Sequence, residues 1–220
     1  MSIIGDINNM RGYLDATEFD QFCDVVWRPQ VMHEFLIKWL RHHFGHPDRI
    51  ETPALKDYEW SENISPSSGK KYIIIESATK WDPKTAASNP AIIVRRNQQT
   101  NIRMSIGDRL FQLVENNDVQ YFGTFWQGSH TVFCIADTGA AAELLATEVY
   151  REISAFAWHL LKRLRLHRLN VHSIGETAKL EQAKESFVVP VNIVYVYQQL
   201  MKITGDSGIL RNIIVDVNSL

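Results

Sequence analysis

The sequence predicts an α+β fold in which a mainly antiparallel β-sheet packs against one long α-helix. Aromatic and β-branched residues that favour strands fill several segments between residues 71 and 197. A single long run of apolar residues at helical spacing follows residue 138. The short glycine-containing connection at residues 127–129 makes the segments on either side of it antiparallel neighbours.

The first predicted element is a helix over residues 17–44. Apolar residues recur there at helical spacing, and Gly45 stops the pattern. Because proline lacks an N–H and clashes with the preceding turn, we expect Pro29 to kink this N-terminal helix or to divide it in two near Arg28. Strands are expected at residues 71–77, 91–96 and 102–114. Long loops are expected at residues 51–70 and 79–90.

The stretch over residues 119–168 organises the rest of the chain. Two strands, residues 119–127 and 130–136, are predicted to form a hairpin that turns on Gln127-Gly128-Ser129. Asp137 or Thr138 then caps the long helix. The helix presents one apolar stripe, which consists of Leu145, Val149, Ile153, Phe156, Leu160 and Leu164.

The chain after the long helix supplies the last strands. A short strand is expected at residues 169–174 and a longer one at residues 187–197. One face of the longer strand is predicted to be lined by its alternating apolar residues, Phe187, Val189, Val191, Ile193, Tyr195 and Tyr197. Pro190 removes one ladder donor, which predicts an edge or a bulge at that position. The domain prediction is a single α+β domain over residues 1–203, followed by a C-terminal arm over residues 204–220.

Composition narrows the class of protein. The 220 residues carry a formal net charge of -2, so a nucleic-acid contact would need a local basic patch. Two cysteines without a C-x-x-C spacing indicate reduced thiols rather than a disulfide framework. We find neither a signal peptide nor an apolar run of about 20 residues that would span a membrane.

Motifs for catalysis or cofactors are missing from the sequence. It contains no glycine-rich phosphate loop. Ser129 and His130 are adjacent but lack the G-x-S-x-G context, and Cys134 alternates with core residues. His42 and His46 are four residues apart and form a weak candidate metal site, although the helix ends there. We therefore expect no enzyme and no cofactor. A small-ligand enzyme with a site near His42 and His46 is the alternative from another class.

Several features favour an assembly subunit. Trp60 and Trp81 lie in the long loops and would dock on neighbouring subunits or cover their own core. The arm would add a strand to a neighbour's sheet or fold back on its own. Its candidate interface residues are Ile209, Leu210, Ile213, Ile214 and Val215.

A basic cluster at the end of the long helix has two interpretations. Its cations suit the negative end of the helix dipole, and they would equally suit a contact with DNA. The candidate DNA-facing residues are Arg163, Arg165 and Arg168.

Residues 92–197 carry a resemblance to a known family. The segment Gly128-Ser-His-Thr-Val-Phe-Cys-Ile-Ala136, with the alanine-rich helix start Gly139-Ala-Ala-Ala-Glu-Leu-Leu-Ala146, resembles the tail-terminator and tail-completion proteins of tailed bacteriophages. The resemblance implies a non-enzymatic virion protein at the head–tail neck. Such a protein assembles in the host cytoplasm and remains in the virion.

The resemblance also implies the partners. The chain would form a homo-oligomer, a hexameric ring that caps the tail tube protein, joins it to the head connector or adaptor, and lets DNA pass through its lumen without sequence specificity. Another head-completion, connector or tail subunit is the alternative within the same class of viral protein.

Overall fold

The computed structural model describes residues 29–61, 71–81, 90–102, 112–115, 119–164, 166–180 and 186–204. This part of the chain has mixed helical and strand content, which confirms the α+β prediction. The helices are α1 (Pro29–Phe44) and α2 (Gly139–Arg163), and two 3-10 turns lie at Pro47–Arg49 and Pro53–Leu55. The strands are β1 (Tyr58–Glu59), β2 (Lys71–Tyr72), β3 (Ile74–Ser77), β4 (Ala91–Arg96), β5 (Thr100–Ile102), β6 (Gln112–Glu115), β7 (Val119–Ala136), β8 (Arg168–Ile174), β9 (Ala178–Lys179) and β10 (Phe187–Thr204).

Helix α1 corresponds to the second half of the predicted N-terminal helix. The described helix begins at Pro29, a position where the missing N–H breaks no helical hydrogen bond. It ends at Phe44, and the N–H of Gly45 closes the last turn on the carbonyl of Arg41 at 2.8 Å. The predicted helical residues 17–28, and the junction at Arg28, lie outside the described residues.

The main sheet has the strand order β3-β4-β7-β10-β8, with β5 and β6 also paired to β7 and β9 to β10. Every described pair in this sheet is antiparallel apart from the parallel pair β3–β4. The mainly antiparallel prediction therefore holds. Its two central strands, β7 and β10, each contain 18 residues and pair along their whole length.

The predicted hairpin at residues 127–129 is wrong, because β7 runs straight through these residues as one strand. Gly128 pairs with Tyr195 of β10, and a Cβ at Gly128 would lie 2.6 Å from Cε2 of Tyr195. The glycine is thus needed for space. It lets the Tyr195 ring lie across the neighbouring strand, and no change of chain direction accompanies it.

One face of the sheet packs on both helices and holds the main core. Alternate residues of β10 from Val189 to Tyr197 are buried on this face, as the alternation predicted. Thr138 caps α2 as expected, since its side chain accepts a hydrogen bond from the N–H of Ala141 at 3.2 Å. Five of the six predicted stripe residues of α2 are buried. Phe156 is the exception at 43% exposed, and it packs edge-on against Trp39 at 5.6 Å between ring centroids.

Pro190 lies in a central strand without loss of a ladder bond to β7. Its carbonyl accepts a hydrogen bond from Gly175 on the β8 side, and a strand residue directs its nitrogen and its carbonyl to the same side. The nitrogen of Pro190, which carries no hydrogen, therefore faces away from β7, into the gap between strands β9 and β8. A register shift between β10 and β8 follows at Asn192 and Ile193.

Candidate functional site

The strand pair β7–β10 extends well past the helix that covers it. At about 3.4 Å per residue, 18 residues span roughly 60 Å, whereas the 25 residues of α2 span roughly 38 Å. The core-facing residues of β10 end at Tyr197, but its pairing with β7 continues to Thr204. Residues 198–204 and their partners 119–125 form a projecting ribbon.

One edge of this ribbon is unpaired within the described part of the chain. On the side of β10 away from β7, strand β9 pairs with residues 187–188 and β8 with residues 191–196. None of the described strands pairs with that side over residues 197–204. An open row of N–H and C=O groups is a template for a strand from another chain.

The two candidate interface tryptophans pack on their own domain in the single chain. Trp60 is partly buried against the main core, with the guanidinium of Arg41 at 5.1 Å from its ring centroid. Trp81 packs against a smaller cluster on the opposite face of the sheet. The other candidates, Ile209, Leu210, Ile213, Ile214 and Val215, lie outside the described residues.

Helix α2 exposes a tryptophan that the sequence analysis did not single out. Trp158 is 62% exposed, and the ammonium of Lys162 lies 4.6 Å from its ring centroid. Exposed tryptophan is characteristic of protein interfaces. Helical spacing could have identified it, because Trp158 lies off the apolar stripe of α2.

The basic cluster lies at the base of the ribbon. Arg163 ends α2, and Arg168 is exposed at the start of β8. Between them, the N–H of His167 bonds the carbonyl of Val196 at 2.8 Å, and its ring meets Phe125 edge-on at 4.5 Å. The side chain of Arg163 and all of Arg165 lie outside the described residues.

His42 and His46 form a close pair of rings, with centroids 4.6 Å apart. His46 Nδ1 lies 2.9 Å from the carbonyl oxygen of His42, so one ring nitrogen is engaged with the backbone. Burial, with smaller contributions from Arg49 and His46, lowers the pKa of His42 to about 4. Across the described ranges, no group of three or more His, Cys, Asp or Glu side chains is placed to hold a metal ion.

The most strongly coupled charges join α1 to α2. His43 is buried between two carboxylates, with Nε2 at 3.1 Å from Glu148 and Nδ1 at 3.2 Å from Glu152. The Glu152 contact has the distance of an ion pair but not the geometry of a hydrogen bond. Glu152 also accepts the indole N–H of Trp39 at 2.7 Å, and Glu148 accepts the hydroxyl of Thr52 at 2.6 Å.

This network keeps two buried groups, His43 and Glu148, and the partly buried Glu152 charged. Burial lowers the pKa of His43, but the hydrogen bond to Glu148 and the close contact with the Glu152 carboxylate outweigh it and raise the pKa to about 9. Burial opposes ionisation of Glu148, while His43, Thr52 and the Glu51 N–H bring its pKa down to about 2. The pKa of Glu152 is lowered in the same way. An imidazolium held in this way cannot act as a base near neutral pH. The network has a structural role instead, because its ion pairs and hydrogen bonds join α1 to α2.

The adjacent Ser129 and His130 do not form a nucleophile and its base. They are consecutive residues of one strand, so their side chains point to opposite faces of the sheet. Cys134 is a buried core thiol as predicted, and burial raises its pKa.

Comparison with protein-family models and with curated proteins found no match for this chain. Among the described residues, neither helix has the length and apolar character required to cross a membrane.

Proposed function

We propose that the chain is a structural virion protein of a tailed phage, a ring-forming tail terminator at the head–tail neck. The projecting ribbon with its open β10 edge is the observation that carries this proposal. In a monomer, such an exposed edge can pair with strands of other chains and cause aggregation. In a closed ring, each edge is covered by the next subunit.

The chain has both halves of such a contact. The acceptor is the β10 edge at residues 197–204, and the donor is the apolar segment of the arm around Ile213. The arm starts where β10 ends, at the tip of the ribbon and away from the core of its own domain. Because donor and acceptor are different surfaces, the contact is heterologous, and it generates a ring when the rotation closes.

The remaining proposed partners are those that the resemblance to phage tail terminators implies. The completed ring caps the tail tube protein on one side and meets the head connector on the other. The basic cluster at the base of the ribbon, with Arg168 exposed, suits a lumen through which DNA passes. Trp158 supplies a further contact between proteins.

One substitution tests the open edge without disturbing the fold. The carbonyls of Pro190 and Val196 both point away from β7, so by alternation the N–H of Gln198 also faces the open side. Proline at position 198 removes that donor and leaves the pairing with β7 intact, as at Pro190. Gln198→Thr is the matched control, because it keeps the N–H and favours a strand.

We expect light scattering after size-exclusion chromatography to give a closed oligomer for the full chain and for Gln198→Thr. Gln198→Pro and a chain without residues 205–220 should give folded monomers. A full chain that stays monomeric at high concentration would contradict the ring. The terminator role is tested separately, since the ring should stop elongation of purified tail tube protein at a stoichiometric ratio.

A further inference from the structure

An aromatic stack runs from α1 across the main sheet, separate from the ribbon and from the His43 network. The ring of His33 on α1 lies 5.5 Å from that of His130 on β7, with the planes 23° apart. His130 in turn stacks on Tyr195 at 5.6 Å, and Tyr195 on Tyr197 at 6.1 Å. His130 is fully buried.

Buried polar atoms without a hydrogen-bond partner gather at this stack. Eight such side-chain atoms occur in the described residues, and five belong to this group: His33 Nδ1, Gln99 Nε2, both ring nitrogens of His130, and the Tyr195 hydroxyl. Burial raises the pKa of Tyr195, and a hydrogen-bonding contact with the side chain of Gln99 opposes that rise, so Gln99 lies beside the phenol and these two groups partly satisfy each other. His33 Nδ1 and both ring nitrogens of His130 have no such neighbour. Each orphaned group costs about 1–3 kcal/mol, so three of them at one place indicate a ligand that pairs with them.

The charge at the stack selects the kind of ligand. Arg96 is directly opposite His130 in the β4–β7 register and lies on the same face of the sheet. It is exposed and forms no ion pair with any described residue. Among the described residues, the carboxylate of Glu34 favours the charged form of His33, and no carboxylate does so for His130.

A cation is therefore disfavoured here, because Arg96 would repel it and the nearby carboxylate, Glu34, acts on His33 and not on the buried ring of His130. Burial, with smaller contributions from His33 and Arg96, lowers the pKa of His130 to about 3, so its ring is neutral and offers one N–H donor. The amide of Gln99 and the hydroxyl of Tyr195 add further donors. These donors and the guanidinium match the oxygens of an anion.

We propose that Arg96, Gln99, His130 and Tyr195, with His33 beside them, form a binding site for a small oxyanion of the phosphate type. Arg96 lies at the solvent side and supplies the charge. The buried N–H and O–H groups supply the hydrogen bonds. The site is independent of the ring assembly, since its residues lie on the helix-covered half of the sheet.

Arg95 provides the matched control for Arg96. It is the neighbouring residue on β4 and is also exposed, but it lies on the opposite face, with its guanidinium 4.9 Å from the ring centroid of Phe133. We compare Arg96→Gln with Arg95→Gln in calorimetric titrations with inorganic phosphate at constant ionic strength, with chloride as the reference salt. Loss of one charge-assisted contact should weaken binding by Arg96→Gln roughly tenfold or more, while Arg95→Gln should match the parent chain.

A second variant tests the buried end of the site. His130→Phe keeps an aromatic ring in the stack and removes both nitrogens. We expect it to abolish the rise in thermal unfolding temperature that phosphate causes in the parent chain. In the parent chain, NMR should show that phosphate raises the pKa of His130, because a bound anion favours the imidazolium.

Two results would overturn the proposal. The first is an absence of phosphate binding in the tens of millimolar range, which would mean that enclosed water satisfies the orphaned groups. The second is equal binding by Arg96→Gln and Arg95→Gln, which would indicate a general ionic effect. A titration with a short single-stranded DNA in place of phosphate identifies the source of the oxyanion. If DNA binds more tightly than inorganic phosphate, the natural ligand is a phosphodiester. If DNA binds more weakly, the natural ligand is the free ion.

Discussion

Replacement of His43 by glutamine should remove a pH-dependent contribution to stability. The pKa of His43 is about 9 in the folded chain, against 6.5 for a free histidine. That difference corresponds to about 3 kcal/mol at about 1.4 kcal/mol per pKa unit. The lowered pKa of Glu148 describes the same contact from the other side, so the two effects are not added. Removal of the cation also leaves the buried carboxylate of Glu148 and the partly buried carboxylate of Glu152 without it.

The sign of the pH dependence follows from proton binding. Below pH 6.5 both the folded and the unfolded chain protonate His43, so its stabilisation is fully present. Between pH 6.5 and about 9 the folded chain binds the extra proton, and the free energy of unfolding falls by up to about 1.4 kcal/mol per pH unit. Above pH 9 this contribution is lost.

Urea unfolding at a series of pH values measures this slope. At pH 6, His43→Gln should be less stable than the parent by about 3–5 kcal/mol, the cost of breaking a buried ion pair. The difference should shrink as the pH approaches 9. His42→Gln is the matched control, because the pKa of about 4 leaves His42 uncharged throughout this window. Parallel curves for the parent and His43→Gln between pH 6.5 and 9 would refute the assignment of a buried imidazolium.

Three further substitutions test the packing. Gly128→Ala should destabilise the chain by about 1–3 kcal/mol, because its Cβ would overlap the Tyr195 ring, and Tyr195→Leu in the same chain should recover part of that loss in thermal unfolding. Thr138→Ala removes the cap of α2 and should cost about 1 kcal/mol in urea unfolding, whereas Thr138→Ser should cost less. Trp158→Ala should change stability by less than about 0.5 kcal/mol, since the ring is exposed, but should weaken self-association measured by sedimentation.

The fold class was predictable because it depends on local patterns. Alternation of apolar residues identified the buried face of β10 from Val189 to Tyr197, and helical spacing identified five buried residues of α2. The cap at Thr138 and the end of α1 at Gly45 were predictable for the same reason, since each depends on a few adjacent residues.

The path of the chain at Gly128 was not predictable from those patterns. A glycine between two strand-like segments indicates a turn when only the local sequence is considered. The ring that needs the space belongs to Tyr195, which is 67 residues later in the chain and reaches Gly128 only through the β7–β10 register. A long-range contact therefore decided between a turn and a continuous strand.

The candidate sites also differ in whether the local sequence could predict them. The arm, the basic cluster and the His42–His46 pair could be named from the sequence, because their residues are close together along the chain. The open edge of β10 appears only once the lengths of β8 and β9 are known.

By itself, the sequence determined the fold class, the approximate position of most helices and strands, and which of their faces are apolar, because those properties repeat over a few residues. Only the tertiary structure decided that the two longest strands continue beyond the core. It also decided that His43 is charged between two carboxylates, and that His33, Gln99 and His130 share one polar cluster. Burial and electrostatics depend on which distant segments come into contact, and that information is absent from any short window of the chain.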